Sequence, residues 1–253
     1  MTQPIVLLGG FLSFPAVYRG MRRTLTRIAD QPVWVVETYC HDWVLAVAPV
    51  GWKRLLDRLQ RTVRRALRGS STGKVTLVGH SSGGVVGRLY LSPEPFLGVA
   101  YGGLEHVDHL ITLGSPHHNQ RGTRMRQWVD RRYAGAYFGP QVSYTSVAGA
   151  AVRGSRCGSV RERCAYRFYR RLCGDGTAWG DGLVPVESAL LRGSQSVVLK
   201  GVSHFTGFGG PWYGAEAVVA RWWPAGAAGP ADGEGDSDDA GGKRVNTGSQ
   251  GTS

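Results

Sequence analysis

The sequence predicts one α/β domain built on a mostly parallel sheet of about six strands, with helices on both faces of the sheet. Two observations carry this prediction: short apolar, β-branched runs recur along the chain, and stretches with helical periodicity separate them. The 253 residues are enough for one large domain with a sizeable core. We expect this domain to span residues 1–225, and residues 226–253 to form a disordered, acidic and glycine-rich tail.

Six apolar runs are candidate strands. In chain order they are IVLLG at 5–9, VWVVE at 33–37, VTLVG at 75–79, LITLG at 110–114, YTSVA at 144–148 and SVVLKG at 196–201. The segment 149–180 lacks strand alternation, is dense in arginine and holds three of the four cysteines. We therefore expect an irregular insertion there, with a short helix at AYRFYRRL, of the kind that flanks the site of a sheet protein.

The stretch GWKRLLDRLQRTVRRALRG at 51–69 has the pattern of an amphipathic helix. One face is apolar and consists of Trp52, Leu55, Leu56, Leu59, Val63 and Leu67. The other face is basic and consists of Lys53, Arg54, Arg58, Arg61, Arg64, Arg65 and Arg68. Such a helix either lies on an anionic bilayer or packs on the sheet with its basic face in water. We favour packing on the sheet, because a crossover helix must bury its apolar stripe.

The formal net charge is +12 and comes almost entirely from arginine. Residues 226–253 hold five acidic and two basic side chains, a sum of −3, so the rest of the chain carries about +15. This charge suits anionic surfaces or phosphorylated ligands. No nucleic acid is expected as a partner, because neither a helix-turn-helix nor a basic strand with interleaved aromatic residues is evident.

No apolar run reaches the roughly 18 residues of a membrane span, and Met1 leads within four residues into a strand-like run. We therefore expect a soluble, cytoplasmic protein, with a plastid location only if the start of the chain is missing. No metal site and no cofactor are expected. We expect the four cysteines to be free thiols, with a Cys157–Cys164 or Cys164–Cys173 disulfide as the alternative. They are Cys40, Cys157, Cys164 and Cys173.

The run GHSSG at 79–83 places Ser81 at the centre of a G-x-S-x-G pattern, between the strand KVTLVGH and the helix-like GGVVGRLYL. This context predicts a nucleophile elbow, a turn so tight that it lifts the serine hydroxyl clear of the sheet. Gly79 and Gly83 leave the room that the crowded backbone needs. The amide of Ser82, at the start of the helix, is then placed to donate to an oxyanion.

A second oxyanion donor is expected from the loop LLGGFLSFP at 7–15. Gly9 and Gly10 allow the chain to turn sharply after the first strand, and the amide of either Phe11 or Leu12 then donates. The alternative is an ordinary glycine turn that ends a strand.

A nucleophilic serine needs an imidazole that is itself oriented by a carboxylate. In α/β-hydrolases the acid follows the serine in the chain and the histidine follows the acid. His204, in KGVSHFTGF after the last strand, satisfies this order. The side chain of His80 should point away from Ser81, which predicts a structural role. His117 and His118 follow the fourth strand and either line the cleft or pack within their loop.

The acid is predicted to be Asp181, in WGDGLVPVESALL, which lies 23 residues before His204. The apolar residues that follow, Leu183 and Val184, fix its position beside the sheet. Asp175, in CGDGTAW, is the alternative, but it ends the segment that we expect to be irregular.

Six motifs occur in the order GGF, GHSSGG, GSPH, YTSVAG, GDGLVP and SHF. With them the sequence, from about Ile5 to Trp223, resembles a lipase-like α/β-hydrolase group of cyanobacteria and plant plastids. More distantly, it resembles GPI inositol-deacylase domains, bacterial triacylglycerol lipases and lecithin–cholesterol acyltransferases. The resemblance implies that Ser81, Asp181 and His204 are catalytic and that the substrate is a carboxylic ester, typically of a lipid. These relatives span several substrates, so the substrate does not transfer. The sequence has no membrane-spanning stretch of the kind that GPI inositol-deacylases have, so their specific role does not transfer either.

The sequence thus predicts a cofactor-independent serine esterase or lipase that works through an acyl-enzyme. Its partners would be an ester or lipid substrate and, through its basic surface, an anionic membrane. Two alternatives stay open: an acyltransferase that uses the same triad, and a non-catalytic basic binding module with a vestigial serine.

Overall fold

The structure is a computed structural model that describes residues 1–223; the tail predicted at 226–253 lies outside the described residues. The strands are β1 (Ile5–Leu8), β2 (Val33–Val35), β3 (Val75–His80), β4 (Val107–Leu113), β5 (Ser143–Ala150), β6 (Val152–Arg153), β7 (Trp179–Gly180) and β8 (Gln195–Lys200). The α-helices are α1 (Arg19–Ala29), α2 (Cys40–Leu45), α3 (Pro49–Leu67), α4 (Ser82–Tyr90), α5 (Gly103–His106), α6 (Arg124–Arg132), α7 (Val160–Cys173), α8 (Val186–Ala189) and α9 (Glu216–Trp222).

Six strands form one sheet in the order β2-β1-β3-β4-β5-β8, and every neighbouring pair is parallel. The predicted sheet of about six strands, mostly parallel, is therefore confirmed. Individual bounds differ from those expected. β4 begins at Val107, three residues early, because Val107 already pairs with Val75 of β3. β2 is shorter than expected and ends at Val35.

Helices cover both faces of the sheet, as predicted. Along β1, Val6 and Leu8 enter one core cluster, whereas Ile5 and Leu7 enter another. This alternation follows from the two-residue period of a strand, which sends successive side chains to opposite faces. Apolar side chains of α3 and α4 complete the first cluster, and those of α1 and α9 complete the second.

The basic amphipathic helix is α3, and it packs on the sheet. It begins at Pro49, a residue that is well tolerated in the first turn of a helix. Its apolar residues Leu55, Leu56 and Leu59 are completely buried in the first core cluster. The favoured interpretation is thus confirmed, and the apolar face of α3 is not available to a bilayer. Within residues 1–223, no helix combines the length and apolarity that crossing a bilayer requires.

The segment 149–180 is more regular than expected. The short helix expected at AYRFYRRL is present, as part of the 14-residue helix α7, and β6 and β7 form an antiparallel pair that was not expected. At the start of α7 the side chain of Ser159 accepts from the amide of Glu162, and the Glu162 side chain accepts from the amide of Ser159. This capping box is an S-x-x-E pattern that the sequence displays, so it could have identified the helix. All four cysteines are free thiols.

Candidate active site

The loops after β1, β3 and β8 lie at the carboxyl edge of the sheet, which is where parallel α/β sheets bind ligands. The turn after β3 carries Ser81 with φ 54° and ψ −127°. A non-glycine residue with positive φ is strained, and it persists only where its surroundings enforce it. Here the Ser81 amide donates to the Leu113 carbonyl at 2.8 Å, and the Ser81 carbonyl accepts from the Gly84 amide at 3.1 Å.

Glycines make this turn possible by allowing backbone segments to touch. A Cβ at Gly79 would lie 2.5 Å from the Gly84 Cα, and one at Gly83 would overlap the carbonyl oxygens of Leu8 and Gly9. α4 therefore begins in direct contact with the end of β1. A six-stranded parallel sheet with such a serine turn between its third strand and the next helix is the α/β-hydrolase fold, so the predicted fold class is confirmed.

The loop after β1 lies against the serine, because a Cβ at Gly10 would come within 2.6 Å of the Ser81 Cβ. Ser82 is buried and begins α4. Phe11 lines the same cavity as Ser81. Leu12 is exposed, has φ 59°, and accepts a hydrogen bond from the Cys40 thiol at its carbonyl. Of the two candidate donor residues in this loop, Phe11 is thus the one with its side chain in the cavity.

Asp181 and His204 are brought together. The Nδ1 atom of His204 lies 2.7 Å from Oδ2 of Asp181, and both residues are buried. The His204 amide also donates to the Asp181 carbonyl at 2.9 Å. The two residues are therefore joined through both backbone and side chain, although 23 positions separate them in the chain.

Further donors hold the Asp181 carboxylate. Its Oδ1 accepts from the amides of Leu183 at 3.0 Å and Val184 at 2.8 Å, and its Oδ2 accepts from the Tyr213 hydroxyl at 2.9 Å. That hydroxyl in turn accepts from the Gly149 amide at 2.7 Å. Burial, and after it the Asp181 charge, raise the pKa of Tyr213 well above its usual value, so the hydroxyl keeps the proton that it donates.

A second chain of hydrogen bonds runs beneath the site. The Tyr18 hydroxyl accepts from the Gly10 amide and lies 2.9 Å from Nδ1 of His80, while Nε2 of His80 lies 3.2 Å from the His204 carbonyl. Burial, and then the nearby His204, lower the pKa of His80 well below its usual value, so the ring is neutral. A neutral ring donates from Nε2 to the carbonyl and accepts at Nδ1 from Tyr18. His80 is thus directed into the interior and links the loop of Gly10 to that of His204.

The other candidates lie elsewhere. Asp175 is exposed, and its Oδ1 accepts from the amide and the hydroxyl of Thr177, each at 2.7 Å. His117 is completely buried, with Nε2 3.0 Å from the Thr112 hydroxyl, so of its two alternatives the structure favours packing within the loop over lining the cleft. His118 is exposed and lies 3.4 Å from a carboxylate oxygen of Asp130.

Ser81 and His204 line one cavity of about 520 Å³. This volume is within the usual range for small-molecule sites. Among the described residues, no hydrogen bond of 3.5 Å or less joins the Ser81 hydroxyl to His204. Most other lining residues are apolar, and they include Trp43, Val47, Trp52, Pro116, Phe168, Leu172, Leu183 and Val184. Residues 1–223 contain no cluster of three or more side chains suited to a metal ion.

Several site residues were not found from the sequence. Arg126 of α6 lines the cavity and donates from Nη2 to the Ser82 hydroxyl at 2.6 Å. Tyr213 bonds Asp181, and Tyr18 bonds His80, across large separations in the chain. None of the three stands in a local pattern that marks it, because each reaches the site only through tertiary folding.

Comparison with known proteins gives one family match, a model described as the PGAP1-like alpha/beta domain, over residues 54–130. The matched region includes the Ser81 turn, whereas Asp181 and His204 lie outside it. The resemblance to α/β-hydrolases and, distantly, to GPI inositol-deacylase domains is thereby confirmed. The resemblance to a group from cyanobacteria and plant plastids in particular stays a prediction. A search of curated protein sequences finds no match.

Solved structures of similar fold include three from bacteria. A pyrethroid hydrolase from Sphingobium faniae JZ-2 is 20% identical over 48% of this chain and 43% of its own, with a TM-score of 0.32. A protein assigned to the alpha/beta hydrolase superfamily from Xanthomonas campestris pv. campestris is 15% identical over 78% of this chain and 86% of its own, with a TM-score of 0.44. A phospholipase from Legionella pneumophila is 15% identical over 75% of this chain and 44% of its own, with a TM-score of 0.49. The chain thus spans less than half of the first and third of these proteins.

Proposed function

We propose that the protein is a serine hydrolase that cleaves carboxylic esters through an acyl-enzyme. The observation that carries this proposal is the buried Asp181–His204 pair, joined at 2.7 Å, in the same cavity as a serine on a strained turn. A carboxylate at Nδ1 leaves Nε2 of the imidazole free to act as a base. The same pair stabilises the imidazolium that forms when the base takes a proton.

The reaction then has two stages, the formation of an acyl-enzyme at Ser81 and its hydrolysis. His204 removes the proton from the Ser81 hydroxyl as that oxygen attacks the acyl carbonyl. The alcohol leaves with the proton that His204 returns, and an acyl-Ser81 ester remains. Water, activated by His204, then releases the carboxylic acid and restores the serine. The hydrogen bond between Ser81 and His204 would form in the substrate complex, because catalytic hydrogen bonds that are long or poorly aligned in a free enzyme often tighten when a substrate binds.

Two backbone amides are assigned to the oxyanion. Ser82 contributes its amide at the amino terminus of α4, a helix of nine residues whose dipole favours negative charge there. Phe11 contributes the second amide, because the preceding Gly10 packs against Ser81 and the Phe11 side chain lines the cavity. One such donor typically contributes about 10²–10³ in turnover.

Labelling with a fluorophosphonate probe, together with hydrolysis of a soluble p-nitrophenyl ester, tests the proposal. Ser81→Ala and His204→Ala should lose labelling and lower turnover by on the order of 10⁴-fold or more. Ser71→Ala is the matched control, because Ser71 is exposed and lies before β3, at the opposite edge of the sheet. It should label like the wild type.

Two outcomes contradict the proposal. If Ser81→Ala is labelled as strongly as the wild type, the nucleophile is another residue. If the wild-type protein is folded, yet the probe does not label it and it hydrolyses no ester, the result favours the alternative of a non-catalytic binding module. Transfer of the acyl group to added glycerol in place of water would identify the acyltransferase alternative.

We further propose a lipid ester as the substrate class, with its acyl chain against the apolar wall of the cavity. The surface around the cavity supports contact with an anionic membrane. Val44, Leu45 and Val50 are exposed, and Val47 is 75% exposed while also lining the cavity. Apolar side chains at a cavity mouth on a strongly basic protein suit a bilayer of anionic lipid.

Sedimentation with vesicles tests the membrane contact. Binding to vesicles that contain phosphatidylglycerol should exceed binding to phosphatidylcholine vesicles, and it should weaken at about 0.5 M salt because the charges are screened. Val47→Asp should weaken it as well, whereas the control Val198→Asp, at an exposed site on β8, should not. Equal binding to both kinds of vesicle would refute the electrostatic part.

A further inference from the structure

The cavity at Ser81 has an unbalanced charge. Three arginines line it, namely Arg121, Arg126 and Arg171, and none of its lining residues, all within the described chain, is Asp or Glu. Arg126 is half-buried, and the other two are exposed. An apolar cavity that carries only positive groups is suited to a ligand that brings apolar and negatively charged parts together.

Arg126 is the innermost of the three. Its Nη2 donates to the Ser82 hydroxyl at 2.6 Å, and this is the one hydrogen bond that its guanidinium forms within residues 1–223. A guanidinium has five N–H donors, so most of them are left for a ligand. No carboxylate oxygen among the described residues lies within 4 Å of Arg126. Burial lowers the pKa of Arg126 because it removes water from the guanidinium, and a bound anion would compensate for that lost solvation.

Arg121 and Arg171 continue into a larger basic surface. With Arg167 and Arg170 they line an adjoining surface pocket of about 460 Å³. The Gln120 amide donates to the Leu172 carbonyl at 2.8 Å, which fixes the loop that carries Arg121 against α7. Within the part of the chain that the structure describes, none of these four arginines forms an ion pair. Their mutual repulsion would fall when an anion binds among them.

We propose that the cavity takes esters that carry a phosphate group, held by Arg126, Arg121 and Arg171, while the acyl chain lies against the apolar wall. This inference rests on the proposed hydrolase function and names its substrate class. Guanidinium groups bind phosphate through paired hydrogen bonds, and several of them match its multiple charge. Arg126 contacts Ser82, the residue after Ser81, so a phosphate bound by Arg126 would lie close to the ester that Ser81 attacks.

The chemistry needs no additional reactant. Ser81 attacks the ester carbonyl, the C–O bond to the phosphorylated alcohol breaks, and that alcohol leaves with a proton from His204. Water then adds to the acyl-serine, so the products are one carboxylic acid and one phosphorylated alcohol. The phosphate ester bond itself stays intact.

A matched pair of soluble substrates tests the proposal without a membrane. 1-Butyrylglycerol 3-phosphate and 1-butyrylglycerol differ only in the phosphate, and release of butyrate is measured for both. The wild-type kcat/KM should be roughly ten- to hundredfold higher for the phosphorylated ester, the effect expected for one or two charged hydrogen bonds. Equal values for the two substrates would overturn the proposal.

Variants identify the arginines that cause the preference for the phosphorylated ester. In Arg171→Gln and Arg126→Gln the ratio of the two kcat/KM values should fall at least about fivefold toward one. Arg126→Lys should keep part of the preference, because it retains the charge. Arg61→Gln is the control, since it removes the same charge from the exposed face of α3 and should keep the full ratio. If Arg126→Gln and Arg171→Gln slow both esters equally and keep the ratio, the arginines do not form a phosphate subsite.

Thermal melting separates this inference from the proposed function. Inorganic phosphate and glycerol 3-phosphate should each raise the Tm of the wild type, and less so in Arg171→Gln; a larger rise with glycerol 3-phosphate would show that the alcohol part is also bound. No rise with either anion would overturn the subsite. Failure of the hydrolase proposal has a different result: both butyryl esters stay intact and the fluorophosphonate probe does not react, whatever the melting shows.

Discussion

The two sides of the candidate active site are built by different physical means. On one side, backbone crowding holds the Ser81 turn, where Gly83 touches the end of β1 and Ser81 adopts a positive φ. On the other side, hydrogen bonds from distant elements hold Asp181 and His204, and Tyr213 is one of the donors. The serine side depends on glycines, whose lack of a side chain lets backbone segments touch. The acid side depends on side chains that form hydrogen bonds.

The two sides should therefore respond differently to substitution. Adding atoms to the serine side forces β1 and α4 apart and reduces the stability of the whole sheet. Removing atoms from the acid side leaves buried polar groups unpaired and disturbs the imidazole while the sheet stays intact. Four changes, in order of expected size, test whether this contrast holds.

The largest effect is expected from Asp181→Asn. An amide at this position favours the wrong tautomer of His204, and kcat should fall by on the order of 10⁴-fold, measured with a soluble ester. Asp175→Asn alters an exposed acid six residues before Asp181 and should hydrolyse that ester like the wild type. Full activity in Asp181→Asn would remove this residue from the proposed mechanism.

Gly83→Ala tests the serine side. The added methyl group would overlap the carbonyl oxygens of Leu8 and Gly9, so the free energy of unfolding should fall by about 3 kcal/mol in a urea titration. Gly20→Ala is the control, because a Cβ at Gly20, in α1, meets nothing within 4 Å. This variant should gain roughly 0.5–1 kcal/mol. Similar stability of the two variants would show that the turn is not crowded.

Tyr213→Phe tests the acid side. It removes the donor to Asp181 and leaves the Gly149 amide without its acceptor. We expect a loss of about 2 kcal/mol in unfolding free energy and a lower kcat with little change in KM. The exposed Tyr137 gives the control variant Tyr137→Phe, which should stay within about 0.5 kcal/mol of the wild type. If KM falls in Tyr213→Phe while kcat stays unchanged, Tyr213 does not act by positioning Asp181.

The smallest effect is the contribution of one buried histidine to the pH dependence of stability. Burial lowers the pKa of His80 and of His117 well below the usual value. The unfolded chain then binds more protons than the folded chain below about pH 6.5, so unfolding free energy falls as pH falls, by up to about 1.4 kcal/mol per pH unit for each histidine.

Urea titrations at about pH 7.5 and about pH 5.5 measure this slope. His117→Gln should flatten it, because one of the two groups no longer takes up a proton on unfolding. A slope that His117→Gln leaves unchanged would mean that His117 is already protonated in the fold.

The sequence predicted the sheet and the Ser81 turn because both depend on local patterns. Apolar runs and the glycines around Ser81 act over a few residues. The Tyr213 donor to Asp181 could not be predicted, since Tyr213 is 32 residues away and reaches Asp181 only through the packing of the second core cluster. The length of α7 was underestimated, although the capping box at Ser159 marks the start of this helix in the sequence.

The arginines of the cavity show the same limit. Arg121, Arg126 and Arg171 lie on two segments whose contact the sequence does not reveal. Net charge indicated an anionic partner but gave no location for it. Only the fold shows which of the many arginines meet at Ser81.

The chain from the Gly10 amide through Tyr18 and His80 to the His204 carbonyl has a practical meaning for protein engineering. Transplanting Ser81, Asp181 and His204 alone onto another α/β scaffold would leave two loops with nothing to set their spacing. A graft should therefore carry Tyr18 and His80 as well, so that the unit to be transferred is five side chains, drawn from three loops, the end of β3 and the entrance of α1.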